Sequence, residues 1–295
     1  MSHLAVPKTY KLYVGGAFPR SESGRTYAVH AADGTFWANA AKGSRKDARD
    51  AVSAARKGAG SWARATPYNR GQVIYRMAEM LEGRRAQFVE LLGLATGASA
   101  AVAGAEVEAA VDRLVHYVGW TDKLAAVLGS ANAVSGPYFS YSAPEPTGVV
   151  AALAPATPSL LGLVSVVAPL LAAGNACVVL AAEADPCTAV TVAEVLATSD
   201  VPAGVVNVLT GSTPEMAPHL AAHADVNALD LTGADATLRT SLEQAAAETL
   251  KRVFVPEEPL DLTAEPGLAR LRAFVEIKTV WHPTGALSLS GGGSY

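Results

Sequence analysis

Cysteine is nearly absent, with only Cys177 and Cys187 among 295 residues. That excludes a disulfide scaffold and a cysteine-based zinc module, and it fits a reducing compartment. Charge is also scarce. Charged residues make up 17% of the chain, with 23 basic set against 27 acidic. No basic footprint marks a nucleic-acid binder, and no polyacidic tail is present. Long apolar runs are missing too. The longest, residues 160–173, contains Ser165 and Pro169 and falls short of the roughly 20 residues that a bilayer helix needs. Residues 1–10 lack the apolar core of a signal peptide. These absences predict a cytoplasmic protein with neither nucleic acid nor membrane as partner. What abounds is aliphatic: half the residues are hydrophobic, enough for a large core and too many for disorder. The length allows one large domain or two.

The first third reads as short strands followed by helices. Residues 10–18 alternate as a strand broken at Gly15-Gly16, and residues 25–30 and 35–40 predict a hairpin about Asp33-Gly34. Ser44 and Asp47 have capping-box spacing and open a helix expected to end near Gly58 and Gly60. Pro67 opens a second helix, and residues 84–95 form a third that stops at Gly97. Val107, Val111, Leu114, Val118 and Leu124 predict one long helix ending at Gly129. Residues 136–147, with Tyr138, Phe139, Tyr141 and prolines 144 and 146, read as an exposed strand or hairpin arm.

From Gly148 the pattern changes. Apolar runs at 149–154, 177–180, 205–209, 226–231 and 253–255 alternate with helical segments at 159–173, 186–198, 213–222 and 234–247. Runs with so little polar alternation suit strands buried on both faces, joined by crossover helices. The fold class is therefore α/β: a Rossmann-like open parallel sheet with helices on both faces, plus a small bridging sheet. After Pro256, residues 257–272 read as an acidic, proline-bearing linker, and FVEIKTVW at 274–281 as a strand. Residues 284–295 read as a flexible tail, Gly/Ser-rich from 288.

Several motifs then stand in one order. They are Pro146-x-Gly148-Val149-Val150, Ala154-Pro155, Ala173-Gly174-Asn175, and Glu183 with Pro186. Val201-Pro202-Ala203-Gly204-Val205-Val206-Asn207-Val208 follows with Gly211, then His223, Val226 and Leu231-Thr232-Gly233. In this order and spacing the chain resembles the NAD(P)-dependent aldehyde dehydrogenase superfamily. Asn69-Arg70, Ala95-Thr96-Gly97 and the strand at 275–281 extend the likeness over most of the chain. The resemblance implies a cofactor-binding domain over 1–134 and 148–256, with bridging or oligomerisation strands at 135–147 and 273–283. It places the cofactor at Pro155, Thr157, Glu183, Gly211, Thr232, Gly233 and Ala234. It places a subunit interface at Tyr138, Phe139, Tyr141, Phe274, Ile277, Val280 and Trp281.

The departures from the family matter as much. The family's catalytic domain, with its cysteine nucleophile, has no counterpart between Pro256 and the last strand, and Pro256 holds the position of the base glutamate. Thr157 replaces the oxyanion asparagine and Leu180 the ribose lysine, while Ala234 and Leu238 replace a serine and a glycine of the phosphate turn. NAD or NADP binding is therefore expected to be weak. Glu183 reads either as a surviving ribose contact or as a solvated carboxylate. Cys177 lies in an apolar run and Cys187 lacks a His, Glu or Asn context, so no catalytic residue is assigned. His219 and His223 share a helix face without the carboxylates of a zinc motif, so no metal is expected. Three functions stay open. One is an inactive partner subunit that stabilises a full-length aldehyde dehydrogenase, or self-associates. Another is an aldehyde oxidoreductase active within a mixed oligomer. The third is a nucleotide-binding or sensing module.

Overall fold

Five short aliphatic runs form the centre of the molecule in a computed structural model that describes residues 8–257 and 260–284. Ahead of them, β1 (Thr9–Tyr10), β2 (Thr26–His30) and β3 (Phe36–Ala41) form a small sheet of order β1-β3-β2. β2 and β3 are the expected hairpin, with the Asp33 carboxylate accepting from the Thr35 amide at 2.9 Å and from its hydroxyl at 2.6 Å. Segment 10–18 is not the strand expected of it. Only Thr9–Tyr10 pairs as a strand, and a turn through Gly15-Gly16 leaves Tyr13 in a single bridge to Val208.

Helices α1 (Arg45–Arg64), α2 (Pro67–Glu82), α3 (Arg85–Thr96), α4 (Ala100–Val118) and α5 (Leu124–Leu128) follow. The capping box at Ser44 and Asp47 forms, and Thr66 caps α2 ahead of Pro67. α1 does not end at its glycines but runs through both. Gly58 is there for a close approach: a Cβ would lie 2.9 Å from the backbone of Gly204 and Val205. That contact outweighs the roughly 1 kcal/mol that glycine costs inside a helix. The single long helix expected up to Gly129 is divided, because the Thr121 hydroxyl donates to the Val118 carbonyl at 2.9 Å and closes α4.

β4 (Ser130–Asn132), which the sequence did not suggest, and β5 (Tyr138–Pro146) lead into the parallel sheet. There β6 (Val149–Leu153), α6 (Ser159–Ala172), β7 (Ala176–Leu180), α7 (Pro186–Ala197) and β8 (Val206–Leu209) alternate. They continue with α8 (Thr213–Ala221), β9 (Ala228–Asp230), α9 (Ala236–Ala247) and β10 (Arg252–Phe254), and the strand order is β10-β9-β6-β7-β8. Alternate residues of β6 go to opposite faces. Val149, Ala151 and Leu153 join the core with Val52, Leu220 and Leu242, whereas Val150 and Ala152 join Ile74, Leu114 and Leu163. Each such Val or Leu contributes about 1.5–3 kcal/mol by burial.

The last elements are α10 (Ala269–Ala273) and β11 (Val275–Pro283). β11 was expected to pair with another chain. It pairs first with this chain's own arm, antiparallel to β5 from Val275↔Pro146 to Pro283↔Tyr138, in a sheet of order β11-β5-β4. The arm folds back because Asn175, fully buried, clamps its root. Asn175 Oδ1 accepts from the Gly148 amide at 2.8 Å, and Nδ2 donates to the Phe274 carbonyl at 2.9 Å.

Phe274, placed above among the interface residues, instead closes α10 and is fully buried against Phe254, with ring centroids 6.0 Å apart. The core claims it before any partner can. Segment 257–272 is likewise no loose linker. Its Leu262, Arg270 and Leu271 are buried against the sheet and helices. The tail expected over 284–295 lies, from 285 on, outside the described residues.

Candidate cofactor site

In an open α/β sheet, ligands bind beyond the carboxyl ends of the strands, where helix N-termini point backbone N–H groups at anions. The resemblance put its cofactor residues at that edge, and the structure brings most of them there. Pro155 follows β6, Glu183 follows β7, Gly211 follows β8, and Thr232, Gly233 and Ala234 follow β9. The Gly233 amide donates to the Leu153 carbonyl at 2.9 Å, so the β6 and β9 ends are joined. Thr157 and the Glu183 side chain are exposed, and the Glu183 carboxylate forms no ion pair among the described residues.

Two of the retained glycines have purely steric reasons to be there. A Cβ on Gly233 would collide with the Ala154 carbonyl, and one on Gly211 would lie 2.9 Å from the Gly43 amide nitrogen. Their presence follows from strand packing and says nothing about a bound phosphate.

The polar groups at this edge are largely spent inside the protein. The Thr232 hydroxyl donates to Asp230 Oδ1 at 2.5 Å and accepts from Arg270 at 2.9 Å. Arg270 also forms a buried ion pair with Asp230 and lies over the Phe254 ring, 4.5 Å from its centroid. Arg113 holds the same connection from α4, donating to the carbonyls of Leu262 at 2.6 Å and Ala264 at 3.0 Å. Leu262 packs beside Gly162 and Pro155. At the other end of the edge, the Tyr27 hydroxyl donates to the Glu183 carbonyl at 3.2 Å. Burial raises its pKa, and the nearby Glu183 carboxylate adds to the shift.

Carboxylates already occupy three helix N-termini. Glu106 of α4 accepts from the Leu160 and Leu161 amides at 2.8 and 3.2 Å, capping α6, although burial raises its pKa. Asp185 accepts from the Thr188 amide at 3.1 Å and caps α7, while its second oxygen takes the Ser159 hydroxyl at 2.7 Å. Asp235 accepts from the Leu238 amide at 2.8 Å and caps α9. Sequence reasoning missed all three. Asp235 was findable, since Asp just before a helical run is a standard N-cap signal. Glu106 was not, because nothing local to α4 reveals a partner on α6.

A phosphate at α9 would face Asp235. Two like charges about 4 Å apart repel by about 1 kcal/mol even in water. Asp235→Asn keeps a competent cap and removes the charge, so it is expected to strengthen NAD or NADP binding about fivefold. Calorimetric titration of both variants checks this, and unchanged affinity would mean that shape, not charge, limits the site. Leu180→Lys is a poorer repair than the family pattern suggests. Leu180 is buried with Leu209 and Leu229 in the core, so the ammonium would be desolvated.

The cysteines are silent. Burial pushes the Cys177 thiol up to about 12. Cys187 rises to about 12 as well, first by burial and then by the Asp185 charge. The favourable helix-start position of Cys187 is thus overridden, and neither thiol ionises at neutral pH.

The aldehyde dehydrogenase family model matches residues 18–256, ending just past β10. An aldehyde dehydrogenase of Aspergillus niger is 30% identical over 244 residues, covering 82% of this chain and 48% of its own length. Mouse mitochondrial 10-formyltetrahydrofolate dehydrogenase is 29% identical over 255 residues, 85% of this chain and 28% of that protein. The NAD+ complex of the Bacillus cereus aldehyde dehydrogenase superposes with a TM-score of 0.78 at 28% identity, over 83% of this chain and 50% of that one. The chain spans half or less of the length of the curated relatives it matches. With the matched sequence covering all five strands of the parallel sheet and the helices between them, the chain belongs to the aldehyde dehydrogenase family.

Proposed function

We propose that this chain is a catalytically silent, cytoplasmic partner subunit that docks on a full-length aldehyde dehydrogenase and stabilises it. The observation that carries the reading is the arm. β11 has one ladder edge paired to β5 and lies at the border of its sheet, with Ile277 and Trp281 more than half exposed. Such an edge is a hazard alone and an adhesive surface in an assembly. Silence is supported by the buried, protonated thiols and by Pro256 at the base position, since acyl transfer needs an activated nucleophile and a base. The purified chain is expected to form no NADH or NADPH with any of a panel of aldehydes. Turnover that disappears in Cys187→Ala would overturn the reading.

A second reading, aldehyde oxidation with NAD(P) inside a mixed oligomer, draws on the exposed Glu183 carboxylate at the sheet edge. It differs in requiring dinucleotide on this chain. Glu183→Gln would then lower the turnover of the mixed complex, whereas a purely stabilising subunit would leave it unchanged.

A further inference from the structure

His219 and His223, which bind no metal in any reading above, line a pocket away from the cofactor edge. α1 and α8 pack together and leave between them a cleft of about 330 Å³. Arg45 and Arg49 line it from α1, His219 from α8 and His223 from the turn just beyond the end of α8, over an apolar floor of Ala48 and Leu220. Arg45 and Arg49, four residues apart, present neighbouring groups on one face of α1. The shared helix face expected of His219 and His223 does not form, because α8 ends at Ala221 and His223 reaches the cleft from the turn that follows. None of the cofactor-edge residues named above lines this cleft.

Its charge is of one sign. No carboxylate lines the cleft among the described residues. Arg45 takes part in no ion pair among them, while Arg49 shares Asp50 with Lys46 at 3.4 Å. His223 Nδ1 accepts from the Asp225 amide at 3.1 Å, which fixes the proton on Nε2 and makes that nitrogen a donor. A second hollow of about 280 Å³ shares Arg45 and His219 and adds Arg25 and Lys42, with Glu215 paired to Lys42 at 3.1 Å. No group of three His, Cys, Asp or Glu side chains placed to hold a metal ion occurs among the described residues.

We propose that the α1–α8 cleft binds a small phosphate-bearing molecule with a compact apolar body. Two guanidinium groups and two imidazoles supply N–H donors for the oxygens of a dianionic phosphate, a role to which arginine is well suited. The Ala48 and Leu220 floor takes the apolar part. The volume suits a ligand of small-metabolite size.

The test is a low-salt calorimetric titration of the full chain with phenyl phosphate, with inorganic phosphate, phenol and benzoate as separate arms. Phenyl phosphate is expected to saturate at sub-millimolar concentration and to bind more tightly than any other arm. Arg45→Gln and Arg49→Gln are each expected to weaken it about tenfold or more. Both arginines are exposed on α1, so thermal melts should match wild type. His219→Gln, on the other helix, is an independent third variant expected to weaken binding. Absence of saturation, full affinity in the double arginine variant, benzoate binding as tightly, or displacement by NAD would each overturn the proposal.

Discussion

Arg270→Ala is expected to cost about 3–5 kcal/mol of stability, lowering the midpoint of thermal unfolding by roughly 6–20 °C. Asp230 is fully buried and Arg270 is only 8% exposed. Removing the arginine leaves a buried carboxylate whose remaining partners are the amide and hydroxyl of Thr232, at 3.1 and 2.5 Å. Breaking one side of such a pair costs far more than replacing both sides. The double variant Asp230→Leu with Arg270→Met is therefore expected to recover most of the loss. Circular-dichroism melts of the three proteins decide it. A single variant within about 1 kcal/mol of wild type would show that the connection between β10 and β11 is anchored elsewhere.

Mixing with a full-length aldehyde dehydrogenase from the same host is expected to give a stable complex that depends on the exposed face of the arm. Ile277 and Trp281 lie on one face of β11 with Thr279, whose hydroxyl is 2.8 Å from that of Ser142. Tyr138 supports Trp281 edge-on, with centroids 5.8 Å apart. A buried Trp anchor is worth about 2 kcal/mol or more at an interface, so Trp281→Ala should weaken association roughly thirtyfold. Ile277→Asp, placing a charge on the same face, should abolish it. Both side chains are over half exposed in the single chain, so neither change should unfold it. Light scattering after size exclusion reads the outcome. Wild-type protein that stays monomeric both alone and in the mixture would remove the support for a partner subunit.

The parallel sheet was legible in the sequence because its five strands are short aliphatic runs, and burial on both faces leaves no competing pattern. The helix starts were equally plain where a side chain acts locally, as at Ser44 and Pro67. What stayed hidden depends on distant partners. α1 continues past Gly58 only because Gly204 needs the space, and α4 stops at Val118 through one hydroxyl. Segment 257–272 looked like a linker from its prolines and acids, yet Arg270 and Leu262 tie it down through contacts with β9 and α6. At the cofactor edge the residue types were readable in advance. Their occupation by Glu106, Asp185 and Asp235 was not, apart from the local signal at Asp235.

The clamp at Asn175 gives the arm a mechanical character. One amide side chain grips the chain just before β6 and just before β11, so the arm is a cantilever with a built-in root. Force applied at Trp281 travels along seven paired residues to Val275 and enters the central sheet at its middle strand. A protein seated on the arm would thus be coupled directly to β6 and, through it, to strands on both sides of the central sheet.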